Sequence, residues 1–431
     1  MHETLLFRNS PNVLLLALHL PEKSRLEIDH SLQELQALSY SLGAVVCDAL
    51  VQQRDQPHPA FFFGKGKLGQ IKDLIHKYSI SFLITDGQLS PKQAQNLEKS
   101  LHKPVLDRTQ LILEIFGRNA RTREAKLQIE LAQSEYLLPR LLGMWKHLDR
   151  ERGGIGVSRG TGEKQIEKDR QILRRKIAHL KEDLQRVDRE RNNQKKRRSS
   201  CLQVSLVGYT NAGKSTIMNA LTNADLLVEN KLFATLDSTT RLLEEESRPK
   251  ILLSDTVGFI RNLPHELVAS FHSTLETIRD ADLLLHVVDV GAEPEEHIKT
   301  TLAVLDEIQA VGIPKILVFN KTDQLDLLEQ AILRRSYPEA VFITAAKGEV
   351  TELQEAIVNF FERRMETVQV LLDYQHSRRL AEIYEWSRVN KIDYREEGIF
   401  LELTSIPSNL KHLRHHLPEA QFEQIQLTLP N

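Results

Sequence analysis

Short apolar runs alternate with stretches in which apolar residues return every three or four positions. This pattern holds over the first hundred or so residues and again beyond Cys201. Near the start, residues 13–18, 44–49 and 80–85 read as strands, and 31–41 and 69–78 as amphipathic helices. Strands that alternate with helices predict a small α/β domain with a parallel sheet over residues 1–103.

From 104 to 200 the pattern changes to helix throughout, dense in charge. Ile166, Leu173, Ile177, Leu180, Leu184 and Val187 are spaced by sevens, threes and fours, which is the seam of a coiled coil or a helical hairpin. A glycine-rich stretch, Gly153-Gly154-Ile155-Gly156 through Gly160-Thr161-Gly162, is expected to be the turn between two antiparallel helices. Between 163 and 198 there are fourteen Lys/Arg against seven Asp/Glu, and the block ends in Lys195-Lys196-Arg197-Arg198-Ser199-Ser200, which reads as a linker.

Residues 201–365 return to alternating strands and helices. Residues 366–431 read as a small α+β appendix, with strands near 368–372, 392–394 and 399–403 and a helix over 376–386. The predicted architecture is therefore α/β, in four parts. Length allows them: 431 residues, 41% of them hydrophobic. The formal net charge of −2 excludes a strongly basic or acidic chain and leaves the local charge excess as the informative quantity. Cys47 and Cys201 are the only cysteines, so neither a disulfide scaffold nor a cysteine metal centre is expected, and a reducing, cytoplasmic setting fits. The N-terminus lacks the basic start of a signal peptide, and no apolar run reaches the ~20 residues of a membrane helix.

Chemistry is concentrated in the third block. Residues Gly208-Tyr209-Thr210-Asn211-Ala212-Gly213-Lys214-Ser215 are a complete phosphate loop between an apolar run and a helical stretch starting at Thr216. Its glycines let backbone N–H groups turn toward phosphate oxygens, and the helix that follows adds partial positive charge. Lys214 is expected at the β and γ phosphates and Ser215 on Mg²⁺. Asp255-Thr256-Val257-Gly258 follows a second apolar run, where Asp255 would support the Mg²⁺ shell and the Gly258 N–H would meet the γ-phosphate. Asn320-Lys321-Thr322-Asp323 follows a third. A carboxylate at Asp323 can accept two hydrogen bonds from the guanine N1–H and N2–H₂ edge, which adenine lacks, so the motif selects GTP over ATP. Thr344-Ala345 matches a short base-contacting motif, with Ala346 where many relatives have lysine.

Between the phosphate loop and Asp255 lies Phe233-Ala234-Thr235-Leu236-Asp237-Ser238-Thr239-Thr240. A threonine here caps Mg²⁺ and senses the γ-phosphate in a switch that loosens after hydrolysis. Thr235 is favoured; Thr239, Thr240 and a plain solvated loop stay open. Phe259 stands where many GTPases carry a glutamine that orients the attacking water, so positioning must come from backbone, another residue or a partner. Asn211 stands where some GTPases use an asparagine to bind a monovalent cation, so K⁺ is a candidate cofactor.

With these motifs in place the chain resembles the HflX family of ribosome-associated GTPases over nearly its whole length. Outside the nucleotide block the marks are Phe63-Gly64-Lys65-Gly66-Lys67, Leu89-Ser90-Pro91-Lys92-Gln93, residues 106–113 with Asp107 and Arg108, residues 121–128, residues 136–141, and the glycines at 153–156 and 160–162. Residues 232–237 with Thr239-Thr240-Arg241 resemble the family's switch, with Ser238 where most relatives have proline, and Phe259 agrees with the family. The resemblance implies a P-loop GTPase domain (201–365) with an N-terminal α/β domain (1–103), a helical linker (104–200) and a small C-terminal domain (366–431). It also implies a protein that binds the large ribosomal subunit and its ribosomal RNA when loaded with GTP and splits stalled or idle ribosomes under stress. Large-subunit assembly is the alternative, an RNA-remodelling ATPase a more distant one; use of ATP beside GTP is reported for some members. A monomer is the expected state. The residues permit RNA contact: Lys65 and Lys67 flank a glycine turn, and Arg118, Arg121, Arg123 and Lys126 fall within about two and a half helical turns. Solvated helix faces paired with Glu124 and Glu130 are the alternative reading.

Overall fold

The computed structural model describes residues 7, 10–141, 160–197, 200–222, 232–233, 239–243, 248–261, 272–418 and 420–424. Two compact units emerge. The first contains the described residues up to 189 and, from later in the chain, Leu232, Phe233, Ile260, Arg261 and His272; the second is built on the sheets that follow Ser200. No helix among the described residues is long and apolar enough to cross a membrane.

The first unit runs β1 (Asn12–His19), α1 (Arg25–Ser41), β2 (Val45–Gln53), α2 (Lys65–Lys77), β3 (Phe82–Thr85), α3 (Pro91–Leu101), β4 (Val105–Asp107), α4 (Arg108–Asn119) and α5 (Arg123–Leu137), then the long α6 (Gly160–Arg197), whose residues up to Arg189 belong to this unit. Its four strands are parallel, in the order β2-β1-β3-β4. Alternate residues of a strand point to opposite faces. On one face Leu14, Leu16 and Leu18 join Phe63, Ile71 and Leu97 in a core. On the other, Val13, Leu15 and Ala17 are buried as well. A parallel sheet covered on both faces is why β1 reads as an unbroken apolar run rather than an alternating one.

Helix starts follow local chemistry. Ser24 and Glu27 close a reciprocal capping box on α1, and Ser90 and Gln93 do the same on α3. Asp107 caps α4 and also accepts from the Tyr136 hydroxyl at 2.8 Å and from Arg140 Nη2 at 3.1 Å. Arg108 beside it is 3% exposed and reaches Asp86 (2.8 Å) and Glu34 (2.7 Å). A buried guanidinium needs such partners, and these tie α4 to α1 and to the end of β3.

Several expectations are corrected. The first sheet takes in β4, beyond the boundary drawn after Lys103. Lys65 and Lys67 do not flank a loose turn; they lie in the first turn of α2, with Gly64 as its N-cap. Arg118, Arg121, Arg123 and Lys126 do not share one helix, because the chain breaks after Asn119 and Thr122 caps α5 by accepting from the Ala125 N–H. Gly160, Thr161 and Gly162 belong to α6 and not to a turn, while Gly153 to Gly156 lie outside the described residues. The seam on α6 holds: Leu180 is buried, and Leu173, Ile177, Leu184 and Val187 are half-buried among exposed neighbours. The Ile166 side chain lies outside the described ones. Lys176 and Lys181 of α6 pair with Glu130 (2.7 Å) and Glu135 (2.8 Å) of α5.

The second unit opens with β5 (Leu202–Gly208), α7 (Lys214–Thr222), β6 (Thr239–Leu242), β7 (Ile251–Asp255), α8 (His272–Arg279), β8 (Leu283–Asp289), α9 (Pro294–Glu307), β9 (Lys315–Asn320), α10 (Leu327–Ser336), β10 (Val341–Phe342) and α11 (Thr351–Glu362). The sheet order is β10-β9-β8-β5-β7-β6, parallel except for β6. Val204, Leu206, Leu253, Leu285 and Val287 pack with Ile217, Leu353, Ile357 and Phe361. A second, antiparallel sheet follows: β11 (Glu366–Leu372), α12 (Leu380–Trp386), β12 (Arg388–Arg395), β13 (Gly398–Ser405), α13 (Pro407–His416) and β14 (Gln421–Gln424), in the order β12-β13-β11-β14. Val368, Val370 and Leu372 alternate inward against Leu401, Leu403, Leu410 and Leu413. The two helices of this small domain hold the residue that leads into β5: Ser200 donates to Glu385 of α12 at 3.1 Å and its carbonyl accepts from Asn409 of α13 at 3.3 Å.

Candidate functional site

β5 lies between β8 and β7, so its neighbours are reached by connections running in opposite directions. Such a switch point opens a crevice at the carboxyl ends of the strands. The loop from Gly208 to Gly213 fills the turn there, and α7 begins at Lys214. Asn211 sits exposed at the loop tip with φ 61°. Gly213 has φ 93°, and a Cβ on it would lie 2.2 Å from Asn320 Nδ2.

Lys214 is 6% exposed, and its ammonium donates to the carbonyls of Gly208 (3.1 Å) and Tyr209 (2.8 Å). Burial lowers its pKa to about 8, against the opposing pull of Asp255. Between that value and the ordinary 10.5 the unfolded chain keeps a proton that the folded chain has lost. This lysine therefore adds stability as pH rises through that window and costs stability below it. A polyphosphate beside it favours the ammonium and reverses the shift. Lysine ¹³Cε NMR of the ligand-free protein is expected to show one resonance with its midpoint near 8, absent from Lys214→Met and moved back toward the ordinary lysine range by GDP. An unshifted resonance in both states would refute the burial argument.

Ser215 Oγ donates to Asp255 Oδ2 at 2.6 Å, which joins the head of α7 to the end of β7. Thr216 is half-buried behind it. Thr256 donates to the Leu206 carbonyl at 2.6 Å, and Val257 is buried. The segment then zips onto the phosphate loop: the Phe259 N–H donates to Gly208 O at 3.1 Å, and the Thr210 N–H donates to Phe259 O at 2.8 Å. Only glycine fits at 258, since a Cβ there would stand 2.7 Å from Thr210 Cα and 3.0 Å from Lys214 Nζ. Phe259 itself is 2% exposed. Its ring belongs to the interior, and its backbone serves the loop.

Asn320 is 2% exposed and bridges two segments: Nδ2 donates to Ala212 O at 2.9 Å, and Oδ1 accepts from the Ala345 N–H at 3.1 Å. Lys321, at φ 64°, pairs with Asp289 at 2.6 Å. Asp323 remains partly exposed with Lys347 Nζ 3.3 Å away, and the hydroxyls of Thr322 and Thr344 meet at 3.0 Å. The structure thus brings Gly208 to Thr216, Asp255 to Phe259, Asn320 to Asp323, and Thr344 with Ala345 to one crevice. Asp289 and Lys347 were missed by the sequence reading. Asp289 ends an apolar strand as Asp255 does, and Lys347 stands one place beyond the alanine that interrupts the base-contacting motif. Ala234 and Thr235 lie outside the described residues. Phe233 is placed in the first unit, its ring edge-on to Phe116 at 4.6 Å and its carbonyl accepting from Asn119 at 2.7 Å. Thr239 lies opposite Asp255 in the β6–β7 ladder, and the Thr240 hydroxyl meets Ser254 at 3.0 Å.

Known proteins match this chain over most of its length. Family models match in series: "GTP-binding GTPase N-terminal" over residues 29–117, "GTP-binding GTPase Middle Region" over 119–198 and "50S ribosome-binding GTPase" over 203–321. GTPase HflX of Gluconacetobacter diazotrophicus is 38% identical over 449 residues, covering 94% of this chain and 98% of the relative. GTPase HflX of Escherichia coli K12 is 41% identical over 373 residues, covering 85% and 87%. Among solved structures, a GTP-binding protein from Sulfolobus solfataricus in complex with GDP is 27% identical, covers 80% of this chain and 97% of its own, and has a TM-score of 0.42.

Proposed function

The chain belongs to the HflX family of GTPases, and from that premise we propose that it is a GTP-driven switch which binds the large ribosomal subunit and splits stalled or idle ribosomes under stress. One observation carries the nucleotide half of this reading: four separate motifs converge on the carboxyl end of one sheet, joined through Asn320 and the Ser215–Asp255 hydrogen bond. The ribosomal half is supported by the match of residues 203–321 to the 50S ribosome-binding GTPase model.

The chemistry is attack of water on the γ-phosphate, with the backbone N–H groups of the phosphate loop and Lys214 meeting the charge that develops on its oxygens. Ser215 and Asp255 offer hydroxyl and carboxylate oxygens, the hard donors Mg²⁺ prefers, and the ion would neutralise phosphate charge there. Asp323 reads the guanine edge, with Asn320, Lys321, Thr344 and Ala345 shaping the base pocket. The Phe259 side chain has no polar atom to orient water, so that task falls to backbone groups of the 255–259 segment or to the bound partner. Thr235 is the proposed γ-phosphate sensor, and Ala234 and Phe233 are its proposed switch neighbours. A K⁺ role for Asn211 rests on its exposed place at the loop tip.

Sedimentation with purified ribosomal subunits tests the switch. The protein is expected to travel with the large subunit in a non-hydrolysable GTP analogue and to stay behind in GDP. Equal binding to every particle in both states would overturn the reading. Loss of light scattering from coupled ribosomes on adding protein and GTP tests splitting, and its absence beside nucleotide-dependent binding would favour the assembly role.

A further inference from the structure

Away from the nucleotide crevice, His412 and His416 stand one helical turn apart on α13, and Glu382 faces them from α12; one ligand atom from each lies within 4.8 Å of the others. We propose that Glu382, His412 and His416 form a binding site for a divalent transition-metal ion, with zinc the best match. Residues four apart on a helix share a face, so two imidazoles at this spacing can converge on one ion. Two imidazole nitrogens and a carboxylate oxygen are a donor set that zinc accepts, and three protein ligands leave its fourth position to water or an incoming ligand. The same set is too rich in nitrogen for Mg²⁺ or Ca²⁺.

Part of this donor set is already held in place. Arg379 Nη1 holds Glu382 Oε2 at 3.1 Å, which leaves Oε1 turned to His416 Nδ1 at 3.7 Å. The His412 ring stacks on Trp386 (3.6 Å between centroids) and on His416 (4.0 Å), so the exposed His416 ring turns out of this stack to aim its nitrogen at the ion that His412 and Glu382 hold. The carboxylate and one imidazole are thus fixed before any ion arrives, which lowers the cost of ordering them on binding. The two helices involved are those that hold Ser200 through Glu385 and Asn409. An ion clamped between α12 and α13 therefore stiffens the grip on the segment that enters β5.

The test uses the full chain, stripped with chelator and titrated with Co²⁺, which reports its coordination by visible absorption, followed by displacement with Zn²⁺. One equivalent of Co²⁺ should give the intense bands of low-coordinate cobalt, quench the fluorescence of Trp386, and yield to Zn²⁺, which should raise the melting temperature. Loss of an outer-shell partner alone costs roughly 10–100-fold in metal affinity, so His416→Ala and Glu382→Gln should each weaken binding by more than ~100-fold. Ser215→Ala should leave the cobalt spectrum unchanged, which separates this site from any metal at the nucleotide. Glu382→Gln is nearly isosteric, and its melting point in chelator shows whether the fold survives if His416→Ala does not. No stoichiometric cobalt spectrum, or the same spectrum in Glu382→Gln, would reduce the cluster to a surface ion pair and overturn the proposal.

Discussion

Asp323→Asn is expected to weaken GTP and GDP binding by on the order of 10³-fold, because an amide at this position turns one acceptor into a donor facing the guanine N2 amine. The size follows from asymmetry: a lost hydrogen bond is modest, but two donors left facing each other in a desolvated pocket carry the full penalty of unpaired polar groups. The same substitution should admit xanthosine triphosphate, whose carbonyl at the corresponding position accepts from the new amide, so turnover lost with GTP should return with XTP. Stability should hardly change. The present partner of Asp323 is the half-exposed Lys347 at 3.3 Å, and such surface pairs contribute about 1 kcal/mol or less. Fluorescent-nucleotide titration with both bases, beside a thermal melt, measures all three. A variant that binds GDP as tightly as the parent would mean that the base is read elsewhere.

The readable parts of this site were those coded by contiguous residues. A glycine-rich loop after an apolar run, or Asn-Lys-Thr-Asp after another, carries its own local geometry, and the structure sets each on the strand end expected of it. What could not be read were ties between distant segments. Asn320 reaches Ala212 across 108 positions, and nothing in the spacing of either residue announces it. Asp289 and Lys347 were hidden for the same reason, since pairing across strands follows from sheet order and not from sequence distance. In the first unit, the break after Asn119 was legible in principle, because Thr122 carries the side chain that caps α5; four basic residues in a row of helical character obscured it. Gly66, two places into α2, misled in the opposite sense: glycine tolerates a helix at a cost of about 1 kcal/mol, and here Leu68 and Ile71 bury enough apolar surface to offset it. The small domain was legible in part: apolar alternation marks β11 and β13, but the helix read over 376–386 is a 3-10 turn before α12 begins at Leu380, and α13 and β14, which lack such a pattern, went unread. The convergence of Glu382 with His412 and His416 was not legible, as it depends on how α12 and α13 pack.

Gly213→Ala should cost at least about 3 kcal/mol of stability and remove measurable nucleotide binding, and the reason lies in Asn320. A Cβ at 213 would stand 2.2 Å from Asn320 Nδ2, at a φ of 93° that an alanine adopts only under strain. Asn320 has nowhere to retreat: it is 2% exposed and held at both ends, by Ala212 O and by the Ala345 N–H. Pushing it aside leaves buried backbone groups unpaired at about 1–3 kcal/mol each, and backbone strain adds about 1–3 kcal/mol. A double-mutant cycle separates these contributions. Asn320→Ala alone should also destabilise, since it strands the same two partners. In that background Gly213→Ala should cost only its strain, because the atom it strikes is gone, so the two penalties should fall short of additive by 1 kcal/mol or more, about the scale of coupling between touching residues. Additive penalties in chemical denaturation would show that the two residues do not touch, and the bridge from the phosphate loop through Asn320 to the turn at Ala345 would have to be abandoned.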